Sequence, residues 1–131
     1  MKFKNGVFMN SKFMETMVKC NEFEDFPPKD AYWFNRFVKK IGAAQEHWEE
    51  IRVKLVKKYG EEQDDGSVII PEKQVPEFQN ALNEIMDIEF EIEGINKIKF
   101  PDELKLSPIE IGLVEEVFDM SVFEKSAENL L

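Results

Sequence analysis

The chain has 131 residues, a single cysteine, 12 phenylalanines and a formal net charge of −10. That length suits one domain, spanning 1–131, with enough apolar content to build a core without a staple. One cysteine excludes an internal disulfide, no apolar run approaches a membrane span, and the first residues lack the apolar stretch of a secretory signal, so a cytoplasmic protein is expected.

Residues 1–8 carry an Asn5-Gly6 pair between short apolar groups, which favours a tight hairpin between two small strands. Ser11 suits the cap of a short helix with Phe13, Met14, Met17 and Val18 on one face and Cys20 at its end. Residues 21–29 read as a loop, since Phe26-Pro27-Pro28 holds an extended backbone. Next comes the longest pattern in the chain. Phe34, Phe37, Ile41, Ala44, Trp48, Ile51 and Leu55 recur at alternating spacings of three and four, the mark of one helical face. The helix should run from about residue 30 to Tyr59, roughly 45 Å at 1.5 Å per residue. Lys54, Lys57 and Lys58 complement its C-terminal dipole, and Gly60 stops it.

Asp65-Gly66 turns the chain into a β-prone run, Ser67 to Ile70. A second helix is expected from Glu72 or Lys73 to Asp87. Val75, Phe78, Leu82, Ile85 and Met86 should face inward, with Pro76 in the first turn. Residues 88–93 then alternate strictly between apolar and acidic, as a half-buried strand does. Ile98 and Phe100 suggest another short strand. Ser107-Pro108-Ile109-Glu110 is a capping box with proline at the first helical position, and Ile111, Val114, Val117 and Phe118 continue that helix. Ser121 to Glu124 repeats the box, and a frayed tail closes the chain. The sum is an α+β fold dominated by helices. The two longer helices form an antiparallel hairpin, short strands lie at one end, and a short helix sits near each terminus. The strands at 67–70 and 88–93 flank the second helix and are expected to pair. An N-terminal section (1–28), a hairpin core (29–120) and a tail (121–131) make up the domain.

The charge is uneven. Through residue 58 there are 12 Lys/Arg against 8 Asp/Glu, and from Tyr59 on there are 5 against 19. Phosphates would be repelled by the second part, so direct nucleic-acid binding is not expected. His47, the one histidine, has no nearby Cys or second His to share a metal. Cys20 is a nucleophile only if a neighbouring cation lowers its pKa, and free cysteines are more often small core residues. Glu61 to Glu72 approximates a calcium loop, with Gly66 sixth and Glu72 twelfth. Its first and third ligands, Glu61 and Gln63, are too long, and Pro71 constrains the exit, so no calcium site is expected. No phosphate-cradling loop and no Ser-His-Asp arrangement occurs. No cofactor, metal or catalytic set is expected, nor an enzyme.

Two surface features point to a protein partner. Glu89, Glu91 and Glu93 share one strand face, either a solvated face or a docking strip for a basic surface. Tyr32 and Trp33 stand beside Phe34 and Phe37, and four such residues cannot all face one way on a helix, so one of the first two points away from the stripe.

The order of features resembles a family of small uncharacterised proteins, a domain of unknown function, from tailed phages of Gram-positive hosts. The residues that carry it are Lys57-Lys58-Tyr59-Gly60-Glu61-Glu62, Asp65-Gly66, Pro71-Glu72 and Phe78. Asn83 to Glu89 and Leu106-Ser107-Pro108 complete the set, within about residues 29–120. The resemblance implies a phage origin and no catalytic residues. Together these readings favour a non-enzymatic phage accessory protein that binds another protein, in virion assembly or host takeover. One rival is an acidic inhibitor occupying a nucleic-acid-binding site on a host protein. Another is an enzyme using Cys20 or the carboxylates, which has only the presence of those residues behind it.

Overall fold

A computed structural model of the protein describes residues 1–119. The predicted turn at Ser121–Glu124 and the predicted tail lie outside the described residues. The fold is α+β and dominated by helix, as expected. Strand β1 (Lys2–Lys4) is followed by a 3-10 turn at Asn5–Met9, helix α1 (Ser11–Glu22) and the long helix α2 (Pro28–Tyr59). Then come β2 (Glu61–Glu62), β3 (Val68–Ile69), a 3-10 turn at Glu72–Gln74 and α3 (Val75–Met86). Strands β4 (Glu89–Glu91) and β5 (Ile98–Lys99), helix α4 (Pro108–Leu113) and β6 (Phe118–Asp119) complete the order.

Helix α2 organises the molecule. It starts with proline in its first turn, where a missing amide costs nothing, and ends on Lys57 and Lys58 at the negative end of its dipole. Gly60 is needed beyond its helix-stopping role. A Cβ there would collide with Val68 Cγ1 and the Val56 carbonyl oxygen, so only glycine lets the β2–β3 hairpin fold back onto the helix end. Along α2 the stripe is buried at Phe34, Phe37, Ile41 and Trp48, while Ile51 and Leu55 are half-buried. The reason lies in what covers each stretch. Phe34, Phe37 and Ile41 enter a large aromatic core with Phe3 and Phe13 from the N-terminus, and Ile98, Phe100, Leu104, Val114, Val117 and Phe118 from the C-terminal part. Phe26 and Phe118 stack on Phe34, and Phe100 meets Phe118 edge-on. The C-terminal part of α2 meets α3, with Phe78 against Tyr59, and Trp48 and Leu82 are buried outside that core.

Among the described residues three two-stranded ladders fasten these helices. β1 and β4 run antiparallel, placing Lys2 opposite Glu91, Phe3 opposite Phe90 and Lys4 opposite Glu89. β2 and β3 form a hairpin, and β5 and β6 pair in parallel. The expected pairing of 67–70 with 88–93 is therefore wrong. The short link after β2 lets β3 pair locally, and β4 takes the chain's first strand.

Other expectations need correction. Asn5-Gly6 is not a hairpin turn. Gly6 is not among the glycines with positive φ, and Asn5 is held from outside, its amide donating to the Ile88 carbonyl at 3.0 Å and its Nδ2 to the Ile85 carbonyl at 3.1 Å. The cap of α1 is Asn10, whose side chain accepts from the Phe13 amide, and not Ser11. The buried residues of α1 are Phe13, Thr16 and Cys20, and Met14 and Met17 pack half-buried against the core as the spacing implied, while Val18 is exposed. The second helix begins at Val75 after a 3-10 turn, with Val75 itself exposed. The alternating strand is shorter than its pattern, and Ile88 lies in solvent. The capping box at Ser107 and Glu110 is present, but α4 ends at Leu113 and Phe118 belongs to β6. Val114, Val117 and Phe118 are nevertheless fully buried, so the pattern identified core residues while misassigning their backbone.

Candidate functional site

The structure separates Tyr32 from Trp33. Tyr32 is 56 % exposed, whereas Trp33 is half-buried and packs on the core with its ring edge-on to Tyr32 at 5.2 Å. One and two turns further along the same face come Arg36 and Lys40. Arg36 Nη1 reaches the Tyr32 hydroxyl at 3.4 Å, and Lys40 Nζ donates to the Glu93 carbonyl oxygen at 2.9 Å. Tyr32, Asn35, Arg36, Lys39 and Lys40 line a shallow depression. The Lys40 bond brings the end of the acidic segment beside this aromatic and basic face, so Tyr32 and Glu93 belong to one continuous side of the molecule.

Glu89, Glu91 and Glu93 are all exposed, as their spacing implied. What the spacing could not reveal is the strand beside them. Lys4 and Lys2 stand directly opposite Glu89 and Glu91, and directly opposed cross-strand residues lie on the same face. Lys4 Nζ also lies 4.0 Å from Asp87. The acidic strip is thus interleaved with lysines that come from the other end of the sequence, and its field is much weaker than the local sequence suggests.

A third feature was not anticipated. Between α1 and α2 opens an apolar groove of about 250 Å³, lined by Phe8, Met14, Met17, Val18, Val38 and Gly42 among others. Val18 is 54 % exposed on its wall. The sequence signal was the methionine pair in α1, which read as core; Met is flexible enough to line a surface that repacks around a partner.

The nucleophile and metal candidates are not brought together. Cys20 is fully buried, and burial, followed by the Glu110 carboxylate, pushes its thiol up to about 11 against the smaller opposing effect of Lys19. A thiol so placed is protonated and inert at neutral pH. His47 is exposed on α2. The Glu61–Glu72 segment is not a ring of ligands but the β2–β3 hairpin and its sequel. Asp65 Oδ1 accepts from the Ser67 amide at 3.0 Å and the Ser67 hydroxyl at 2.6 Å, and these bonds lower its pKa. Among the described residues no three His, Cys, Asp or Glu side chains are grouped to hold a metal ion. Among the described residues the one strongly perturbed carboxylate is Glu110. Lys19 Nζ lies 2.7 Å from its Oε2 and the Ser107 amide donates to its Oε1 at 3.0 Å. The Lys19 bond first, then Ser107, lower its pKa to about 2. Both oxygens are committed to α1 and to the cap of α4, so this is a clasp between helices and not a free acid.

The chain matches no family model, no curated protein and no solved structure. The likeness to the phage family therefore rests on the residues quoted for it. Among the described residues no helix is long and apolar enough to cross a membrane.

Proposed function

We propose that this protein acts by binding another protein through the face that carries Tyr32, Arg36, Lys39, Lys40 and Glu93. The observation that carries this reading is the large exposed Tyr32 ring, braced from below by Trp33 and flanked by an arginine at hydrogen-bonding distance. Tyrosine, tryptophan and arginine dominate the binding energy of protein interfaces, and a charged rim around them sets specificity. The partner fits best as a surface with an apolar pocket for Tyr32 and acidic groups opposite Arg36, Lys39 and Lys40. A phage setting, in assembly or in takeover of a host cytoplasm, is part of the proposal and comes from the resemblance. The rival reading, an acidic occupant of a nucleic-acid-binding site, loses support because Lys2 and Lys4 interrupt its main acidic strip.

The test is site-specific cross-linking. A photoreactive residue placed at 36 should capture one protein from the cells in which the chain is made. Tyr32→Ala, with an unchanged circular dichroism spectrum, should abolish that capture. Capture that persists in Tyr32→Ala, or no capture at all, overturns the assignment of this face.

A further inference from the structure

Helix α2 has a second organised face, on the far side from its core stripe. Glu46, Glu49, Glu50, Val53, Lys54 and Lys57 line one exposed facet. Acids occupy its first half and lysines its second. Such an order is complementary to itself when reversed. If two copies of α2 lie antiparallel with a two-fold axis between residues 51 and 52, Glu46 of each falls opposite Lys57 of the other. Glu50 then lies beside Lys54 on one edge of the seam, while Glu49 stays bound to Arg52 of its own chain.

The same register solves a second problem. Beyond Lys57 comes Gly60, against which Val68 is packed, and Ile69 follows it. These two residues form an apolar tip, with Ile69 57 % exposed. In the antiparallel register Gly60 falls opposite Ala43, beside Gly42 on the wall of the α1–α2 groove. A Cβ built at Gly42 meets nothing within 4 Å, so the groove is open there. The apolar tip of one copy is thus delivered to the apolar groove of the other, twice in a symmetric pair. Within one chain this contact cannot form. Gly42 and Gly60 are 18 residues apart on one straight helix, roughly 27 Å at 1.5 Å per residue.

We infer that the groove between α1 and α2 is a self-association site, filled by the Val68–Ile69 tip of a second copy lying antiparallel along α2. The occupant is a second copy because three features agree on one register: the reversed charge order, the exposed tip and the open groove. A two-fold interface must present one patch that complements itself, and this facet does. The inference goes beyond the binding proposed for Tyr32, and the two are separable, because Tyr32→Ala leaves every group named here in place.

The full chain should sediment as a dimer at micromolar concentration, with the dimer weakened by salt. Glu46→Lys with Glu50→Lys places like charges opposite one another and should weaken self-association by about tenfold or more. Lys54→Glu with Lys57→Glu should do the same. Mixing the two double variants restores opposite charges at every pair and should restore a dimer. To fix the register, Val68→Cys and Met17→Cys should cross-link between copies under mild oxidation, since Cys20 is buried. A monomeric wild type, which would leave the groove to some other occupant, overturns the inference. So do double variants that dimerise as well as the wild type, or a dimer in which the 68–17 cross-link does not form.

Discussion

The two ends of α2 are held in different ways. Around Phe34 and Phe37 the helix is enclosed by the N-terminal strand and helix, by α4 and by the parallel β5–β6 pair. Phe3, Phe13, Phe100, Val117 and Phe118 are all buried there. Around Leu55 the helix is flanked, among the described residues, by α3 and the short β2–β3 hairpin. Among the described residues, Trp48 and Leu82 are the buried residues of this arm, and neither belongs to the main core. A two-helix layer cannot cover both its faces, so much of the arm's apolar surface stays half-buried or exposed. The head is therefore expected to set the stability of the fold, while the arm offers surface and opens more readily.

The largest test of that contrast is Trp48→Ala. Truncating a buried large aromatic costs about 3–5 kcal/mol. If the arm is a separate cooperative unit, amide exchange in α3 should accelerate sharply while the residues around Phe37 keep their protection. Equal acceleration in both regions would join head and arm into one unit. A change below about 1 kcal/mol in a denaturant midpoint would mean that the tryptophan contributes little.

Acid should act on the head first. Glu110 is held at about 2 in the folded protein against an ordinary value of 4.5. A depressed carboxyl stabilises the fold above its unfolded pKa, and that stability fades as the pH falls through the window from 4.5 to 2. Glu110→Gln should remove this part of the acid limb and lower stability at neutral pH, because the amide cannot pair with Lys19 as a carboxylate does. Urea midpoints at pH 7 and pH 3 measure both effects. Parallel pH profiles for the variant and the parent would deny the clasp its role.

Much of this contrast was legible in the sequence, but not all of it. The stripe on α2, its end at Gly60 and the capping box at Ser107 are local signals, and each appears where the pattern put it. The periodicity showed which face of α2 is apolar but not how well it is covered. Ile51 and Leu55 keep the same spacing as Phe34 and Phe37 and are less buried because their cover is thinner. The pairing of β1 with β4 and the Lys19–Glu110 clasp join residues about 90 positions apart, and nothing local specifies them. The candidate site divides in the same way. That Tyr32 or Trp33 points outward followed from helical geometry, but which of the two does so, the lysines facing Glu89 and Glu91 and the groove beside Met17 depend on the packing of distant segments.

A smaller effect is expected at the arm's tip. Gly66 has φ +85°, a conformation in which an L side chain is strained. Gly66→Ala should cost about 1 kcal/mol, with open space around the new methyl group. The loss should show as faster exchange at Glu62 and Ser67 and leave the head unaffected. Under the antiparallel pairing inferred above, it should also weaken self-association, because the turn aligns Val68 and Ile69.

The smallest effect concerns the seam where the arm returns to the head. β4 leaves α3 and pairs with β1, and the ladder has two faces. On the outer face Glu89 and Glu91 oppose Lys4 and Lys2, whereas on the inner face Phe3 and Phe90 stack with their ring centroids 5.8 Å apart. Exposed opposite charges in this geometry contribute about 0–1 kcal/mol, less in salt. Burial of the aromatic pair contributes more, so the seam should be held from inside. Replacing Glu89, Glu91 and Glu93 together with Gln should therefore leave the fold intact and shift the denaturant midpoint little. The variant also discriminates between the surfaces. It removes the acidic strip but keeps Tyr32, Arg36, Lys40 and the Glu93 backbone carbonyl that Lys40 binds. If the partner docks on the Tyr32 face, its association rate should change far less in this triple variant than in Tyr32→Ala. A large loss of rate at low salt that vanishes at high salt would instead return the main role to the carboxylates, since electrostatic complementarity acts chiefly on the rate of association.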